Sequence, residues 1–563
     1  MIGLYVVVFG LSVFLIRAYR SAYPQPYAQI PYNNAASKRL WGDIPELIEA
    51  VKSTQDPAKF LFEQCRKLKS PVVQLFLRPF GKPIIFINDV REVKDILSTR
   101  TKEFDRAPRT RHAFRPIVPH CSLVKATTPE WKAQRRFWEG VMGAAFLRRV
   151  AAPKMHQVAL ELVELLKAKA SIADGRPFYF FDDIDLAAFD VIWKVVFGTD
   201  LEAVRGEREQ VVSGAKHITQ PTSKDSPAVL TVGAKPEMYQ YIALLIQTVE
   251  KTFASFSQPL HHWILRQGSA YRKKVAVKNK IVDEVMSEAR SQLSELSDEQ
   301  LLAQEETSAL VLGLRREFLA RRSESGSVTQ NHEAVRDELL MLLIGGHETK
   351  AVVLSWAIAF LTHFPEKQTR LRNSLFAIHP ERSEGSQPLA ENILSKSTPY
   401  MDAWIEETLR MGNVSSRLVR VATTDTTVLG QFIPKGAQVV CNPYVGGDKP
   451  LYIPEELRSV TSQQSKANFR SHWDPNCMDE FIPERWLHED GSFDPRMFPR
   501  LAFSAGPRVC YGRSLALQEF RIMLTMLVLN FKFEALPEEF SGLEAHQRIL
   551  RVPRHCYVRL TAL

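Results

Sequence analysis

Cysteine is scarce in this chain, and no two cysteines are close in sequence. The six, at positions 65, 121, 441, 477, 510 and 556 of 563 residues, never form a C-x-x-C pair. That excludes a zinc site of ordinary ligand spacing and a dense disulfide framework, and it suits a reducing compartment. There is no basic arm and no recognisable nucleic-acid module. The net charge of +10 comes from Lys and Arg spread along the sequence, so a docking face or membrane-facing surface explains it better than nucleic acid does. Internal repeats are lacking, as is any flavin- or nicotinamide-binding appendage.

One long apolar run opens the sequence. Residues 1–16 are almost wholly apolar, Arg17 and Arg20 follow, and prolines stand at 24, 26 and 31. Residues 1–20 are therefore read as a membrane anchor and 21–35 as a proline-rich hinge. Sixteen residues fall short of the ~20 that span a bilayer, but Ala18, Tyr19 and snorkelling arginines extend the segment. The basic residues come after the apolar run, which places the following domain, residues 36–563, in the cytosol. A cleaved signal peptide would carry its basic residues before the run and small residues at the cut.

Residues 72–77 and 84–87 are short β-rich runs around Arg78-Pro79-Phe80-Gly81, a pattern that suits an antiparallel hairpin. Helical periodicity dominates from about 130 to 364, broken by polar stretches at 221–227 and 323–330. Short β-like runs return around 426–432 and 438–441. The fold class is thus mainly α with a small β-sheet region. Residues 445–468, rich in Gly, Pro, Ser and Gln, are expected to be an exposed, flexible surface insertion.

The densest chemistry lies in Phe503-Ser504-Ala505-Gly506-Pro507-Arg508-Val509-Cys510-Tyr511-Gly512. A cysteine sulfur that ligates iron must be a thiolate. Arg508, backbone N–H groups freed by the glycines, and a helix starting near Arg513 all favour that anion. Gly506 and Gly512 are expected to let the main chain approach a flat macrocycle. A buried structural cysteine is the alternative for a lone Cys.

Further upstream, Ile344-Gly345-Gly346-His347-Glu348-Thr349 puts two glycines inside an otherwise continuous helical pattern. Each costs about 1 kcal/mol relative to alanine, so a reason is needed. Removing both side chains lets a ligand lie against the helix, and the acid and alcohol beside them can open the backbone ladder. Glu407 and Arg410 stand one helical turn apart, as do Trp131 and Arg135, so each pair shares a face.

Together these segments resemble the cytochrome P450 family. The ten-residue stretch matches its haem signature F-x-x-G-x-R-x-C-x-G. The W-x-x-x-R, G-G-x-E-T, E-x-x-R and P-E-R-W segments precede it in the family's order, and the resemblance spans about residues 30 to 560. It implies the P450 fold and haem b ligated by Cys510, with Phe503, Gly506, Gly512, Trp131, Arg135, Arg420 and Arg508 around the cofactor and Arg417 a further candidate. It implies Glu348 and Thr349 as the catalytic pair, the hydroxyl meeting dioxygen and the acid relaying protons. Glu407, Arg410 and Arg485 become a lock beneath the haem. His347 falls at a variable position and is expected to be packed or solvated, not an iron ligand. Two residues depart from the pattern. Lys350 stands where a small hydroxyl residue is usual, and Met411-Gly412-Asn413-Val414 lacks the common His-Pro step, which suggests an unusual pocket floor.

The implied activity is monooxygenation, inserting one oxygen atom from O2 into a lipophilic small molecule. Electrons would come from a membrane-bound NADPH-dependent cytochrome P450 reductase, with cytochrome b5 a further donor, docking near Lys132, Arg135 and Arg136. The location would be the endoplasmic reticulum membrane, single-pass, with the catalytic domain cytosolic. The sequence's style suggests fungal secondary metabolism. The rivals are an oxygen-independent haem-thiolate isomerase or dehydratase, and a non-catalytic haem-binding membrane protein.

Overall fold

The computed structural model describes residues 9–13, 19, 23–79, 81–255, 257–322, 331–382, 384–444, 451, 453–465 and 475–563. The chain divides into two compact units. One comprises Met1–Pro108, Ser415–Glu480 and Arg496–Val509; the other comprises Arg109–Val414, Phe481–Pro495 and Cys510–Leu563.

The first unit is organised by a five-stranded sheet in the order Val72–Leu75, Ile84–Ile87, Gln438–Cys441, Leu418–Ala422, Phe104–Arg106. The expected hairpin is present, with Val72 opposite Ile87 and Leu75 opposite Ile84. Ile84–Ile87 then pairs in parallel with Gln438–Cys441, a union across some 350 residues of chain that no local pattern announces. Period-two alternation sorts the side chains onto two cores. Val72, Ile85, Ile87, Val439 and Cys441 enter one cluster, while Val73, Leu75, Ile84, Phe86 and Val440 enter another. Continuous apolar strands of this kind belong to a sheet covered on both faces.

The proline-rich stretch is fastened to this sheet. Gln74 accepts from the Tyr27 amide at 2.8 Å and donates to the Tyr27 and Ile30 carbonyls at 2.9 and 2.6 Å, and Ile30 is buried. Residues 27–31 are therefore a docked strap, and any pivot must precede them.

The insertion keeps exposed side chains such as Leu451, Leu457 and Val460, but its residues 453–465 are anchored where a flexible loop was expected. Residues 453–465 contain a short turn, Glu455–Leu457, and a helix, Val460–Gln464. Both are held by charge and hydrogen bonds to the helix Val90–Ser98 and its cap Asp89. Arg91 forks onto Glu455 at 2.8 and 3.0 Å and also donates to the Ser462 carbonyl. Arg458 forks onto Asp89 at 2.8 and 2.9 Å, and Ser459 and Thr461 both donate to Asp95. Polar composition misled here, because the polar groups are spent on one another. Residues 445–450, 452 and 466–468 of the insertion lie outside the described residues, as does the 323–330 break.

Helices make up most of the second unit. Its apolar centre includes Phe181–Phe197, Arg513–Asn530 and a long helix broken into His332–Gly346 and Glu348–His363. Arg513–Asn530 begins where the sequence placed it. Three two-stranded ribbons join residues near the carboxyl end to earlier or neighbouring strands, for example Tyr557–Val558 to Phe178–Tyr179.

Among the described residues one stretch is long and apolar enough to cross a membrane, His332–His363, and over half of its apolar window is buried. Much of 1–20 lies outside the described residues. Residues 9–13 are helical, with Phe9 and Leu11 exposed.

Candidate active site

Within the first unit, the haem-signature residues form a tight turn, Gly506–Arg508. Gly506 has φ +67°, and a Cβ there would lie 2.2 Å from the Leu97 carbonyl oxygen. The glycine is thus required by packing against the helix Val90–Ser98, a different reason from the expected approach to a macrocycle. Ser504 is also left-handed, at φ +63°. Its hydroxyl accepts from Arg420 at 3.2 Å. Arg420 is buried, and burial lowers its affinity for its proton. Its other bond is to the Val419 carbonyl, and among the described residues no carboxylate lies within ion-pair distance of it. Buried Arg508 stands 3.7 Å from Asp105. Phe503 is half-buried.

In the second unit, Cys510 is exposed and not in a disulfide, unlike Cys65, Cys121, Cys441 and Cys556, whose burial pushes their thiols up. Gly512 precedes the helix, and open space surrounds the position a Cβ would take. Thr128 caps the helix Pro129–Phe137, which carries buried Trp131 and, one turn on, Arg135. The Arg135 guanidinium lies 4.0 Å from the centre of the Tyr511 ring and 5.9 Å from that of Trp131. Burial lowers its pKa, while Tyr511, Glu338 and Cys510 oppose the shift. Lys132 and Arg136 are exposed, but Arg135 is turned inward.

Glu407, Arg410 and Arg485, a trio that the resemblance implied, lie together in the structure. Glu407 is fully buried; its Oε2 and Oε1 accept from Arg410 Nε and NH2, both at 2.8 Å, and Oε1 accepts from Arg485 Nε at 3.1 Å. Two further donors went unread in the sequence, the Ile482 amide at 2.9 Å and the Trp486 indole at 3.0 Å. A doubly charged cation pair around one carboxylate leaves lone pairs to satisfy, and the tryptophan beside Arg485 was the available signal.

The long helix breaks at His347, whose φ and ψ of −113° and −65° separate its two halves. Gly345 is exposed, with only Met341 near its would-be Cβ, so it alone leaves the helix face open. Gly346 does not: a Cβ there would meet Ile192 at 2.7 Å, which corrects the expectation that both glycines clear space for a ligand. Thr349 Oγ1 donates to the Gly345 carbonyl at 2.9 Å, the back-bonding that bends a helix. Glu348 has its pKa pushed up to about 7, chiefly by burial and then by Asp185 and Glu250, with Arg548 opposing. His347 is packed, its Nδ1 2.9 Å from the Leu343 carbonyl and its ring against Phe189 and Tyr239. Lys350 turns to a buried ion pair with Glu519.

The missing proline step is replaced by a different stop. Helix Pro399–Gly412 ends on Asn413 in the left-handed region, φ 41°, and Arg551 donates to the Met411 and Gly412 carbonyls at 3.1 Å each.

This donor set fits a haem. The second unit offers an accessible thiol for iron at Cys510, a half-buried guanidinium at Arg135 and clear space beside Gly345 and Gly512, and the first unit offers the buried guanidinium of Arg420; among the described residues neither arginine has a carboxylate within ion-pair distance, which suits propionates.

Known proteins agree with this assembly. The family model described as Cytochrome P450 matches residues 40–455 and 471–558. The chain is 33% identical to "Cytochrome P450 monooxygenase GME11363" of Pestalotiopsis microspora, over 98% of this chain and 96% of that protein. It is 28% identical to "Cytochrome P450 monooxygenase TRI13" of Fusarium sporotrichioides, over 98% and 97%. The solved cytochrome P450DA heme domain superposes with a TM-score of 0.67 at 18% identity, covering 96% of this chain and 97% of that one, a likeness of fold. With the motifs, the helical architecture and the family match in agreement along nearly its whole length, this chain belongs to the cytochrome P450 family of haem-thiolate monooxygenases.

Proposed function

We propose that Cys510 is the iron ligand of this monooxygenase and that Glu348 and Thr349 supply the protons that oxygen activation consumes, the enzyme acting on a lipophilic small molecule of fungal secondary metabolism. The bound haem supplies thiolate-supported activation of dioxygen. Arg135, Arg420 and Arg508 would neutralise its carboxylates, and the Glu407 cluster fixes the segment that precedes the cysteine loop. At the helix break, Thr349 and the neutral form of Glu348 hold a proton where the helix face opens at Gly345. That intact acid–alcohol pair at a broken helix is the observation that carries oxygen activation over an oxygen-independent isomerase or dehydratase. Substrate class rests on likeness to fungal monooxygenases.

Electrons are assigned to an NADPH-dependent cytochrome P450 reductase, with cytochrome b5 as a second donor. Exposed Lys132 and Arg136 supply positive charge for docking. Residues 1–20 are assigned as a single-pass anchor in the endoplasmic reticulum, leaving 36–563 cytosolic as the catalytic domain. The exposed apolar side chains of Phe9 and Leu11 support that reading. Reconstitution with reductase, NADPH and isotopically labelled dioxygen, against a panel of lipophilic precursors, tests the whole. One labelled oxygen atom in the product is expected; product formed without NADPH or dioxygen would favour the isomerase reading.

A further inference from the structure

Tyr511 follows the cysteine directly, yet its side chain is committed to the helix that carries Arg135. Its hydroxyl donates to the Trp138 carbonyl, at the C-terminal cap of helix Pro129–Phe137, and the centre of its ring lies 4.0 Å from the Arg135 guanidinium carbon. The neighbouring Phe137 carbonyl accepts from Arg316 at 2.8 Å. Two of the helix's last carbonyls are thus taken by side chains from other elements, and the helix end is fixed in place. Arg135 itself has no carboxylate within ion-pair distance among the described residues. A cation partly withdrawn from water and not fixed by a direct ion pair is held by another platform here, since an aromatic face attracts a guanidinium by its quadrupole.

From this we propose that Tyr511 is a positioning residue for the haem: it clamps Arg135 in a fixed place relative to Cys510 and thereby sets the electrostatics of the metal site. The proposal rests on Cys510 as the iron ligand. The tyrosine ties the residue after the sulfur to Arg135, so the positive charge of Arg135 would stand in a fixed place relative to a metal held by Cys510. A fixed positive charge near the haem favours the reduced state, which carries one charge less. Releasing Arg135 to water lowers the midpoint potential. The ring is the active part of the clamp, and the hydroxyl secures the helix end.

The test uses the purified haem-loaded full chain. Tyr511→Leu removes the platform and is expected to move the midpoint potential in the negative direction by about a tenfold change in the one-electron equilibrium, about 59 mV. Tyr511→Phe keeps the ring and is expected to hold the native potential while losing some thermal stability. Should Tyr511→Leu fail to retain haem, Arg135→Lys keeps the charge but loses the planar stack, and the same negative shift is expected. A purely structural tyrosine would lower the melting temperature of Tyr511→Leu and leave the potential unchanged; that result, or a native potential in Arg135→Lys, overturns the proposal. A wild-type protein lacking the thiolate carbon monoxide spectrum would instead overturn the Cys510 assignment beneath it.

Discussion

Trp486 donates its indole N–H to Oε2 of Glu407, so the buried carboxylate is held by a neutral donor as well as by Arg410 and Arg485. Trp486→Phe keeps most of the packing and deletes one hydrogen bond to a charged group, an expected loss of about 1.5–3 kcal/mol in chemical unfolding. Glu407→Ala removes the carboxylate that Arg410 and Arg485 share, costs about 3–5 kcal/mol, and is expected to yield protein without haem. Chemical unfolding checks the first and the haem-to-protein ratio after purification the second, and a fully loaded Glu407→Ala protein would contradict the assignment of the lock.

Glu348 gives the fold a definite pH response. Its ordinary pKa of 4.5 is pushed up to about 7 by burial, Asp185 and Glu250. Between those values the folded chain binds more protons than the unfolded one, so this group's contribution to stability falls as pH rises from about 4.5 to 7 and is constant above. Glu348→Gln is expected to remove that slope. Asp185→Asn, by deleting a repelling charge, should shift the slope to lower pH. Below pH 7 the neutral acid can give up a proton, so turnover is expected to decline above that pH in the wild type and to be low and flat in Glu348→Gln.

Asn413 ends its helix at φ 41°, a conformation that costs a β-branched residue far more than asparagine or glycine. Asn413→Gly is expected to leave the melting temperature nearly unchanged, whereas Asn413→Val should destabilise by about 1–2 kcal/mol. Equal melting temperatures for the two variants would count against a strained stop at this point.

Arg91 anchors residues 455–463 to the helix Val90–Ser98, whose last turn abuts Gly506. Arg91→Ala strands the Ser462 carbonyl and one end of Glu455, with an expected loss of about 1–3 kcal/mol. Limited proteolysis should then cut within 453–465 sooner than in the wild type. Unchanged proteolysis would mean that the insertion is held by its Arg458–Asp89 and Asp95 contacts alone.

The chemistry was more legible in this sequence than the packing. The Cys510 loop, the Glu407–Arg410 pair and the Gly345–Thr349 break are local patterns, and short patterns report on short distances; Arg485, 78 residues from Glu407, was reached only through the resemblance. The parallel pairing of Ile84–Ile87 with Gln438–Cys441 joins segments far apart in the chain, and β-rich runs carry no record of their partner. Leu418–Ala422 passed unnoticed as a strand because its two arginine-flanked apolar residues read first as a cofactor motif. Glycines were over-read: Gly506 and Gly346 are small because Leu97 and Ile192 press on them, which only coordinates reveal. The insertion was judged by composition alone, yet Arg91, Arg458 and Asp95 turn its polar residues into an interface.

One spectrum addresses the central claim, a sulfur ligand from residue 510. Reduced under carbon monoxide, the purified wild-type protein is expected to show the red-shifted Soret band of a thiolate-ligated haem, and Cys510→Ser to lose both that band and product formation. A red-shifted band persisting in Cys510→Ser, or its absence from haem-loaded wild type, would contradict the account.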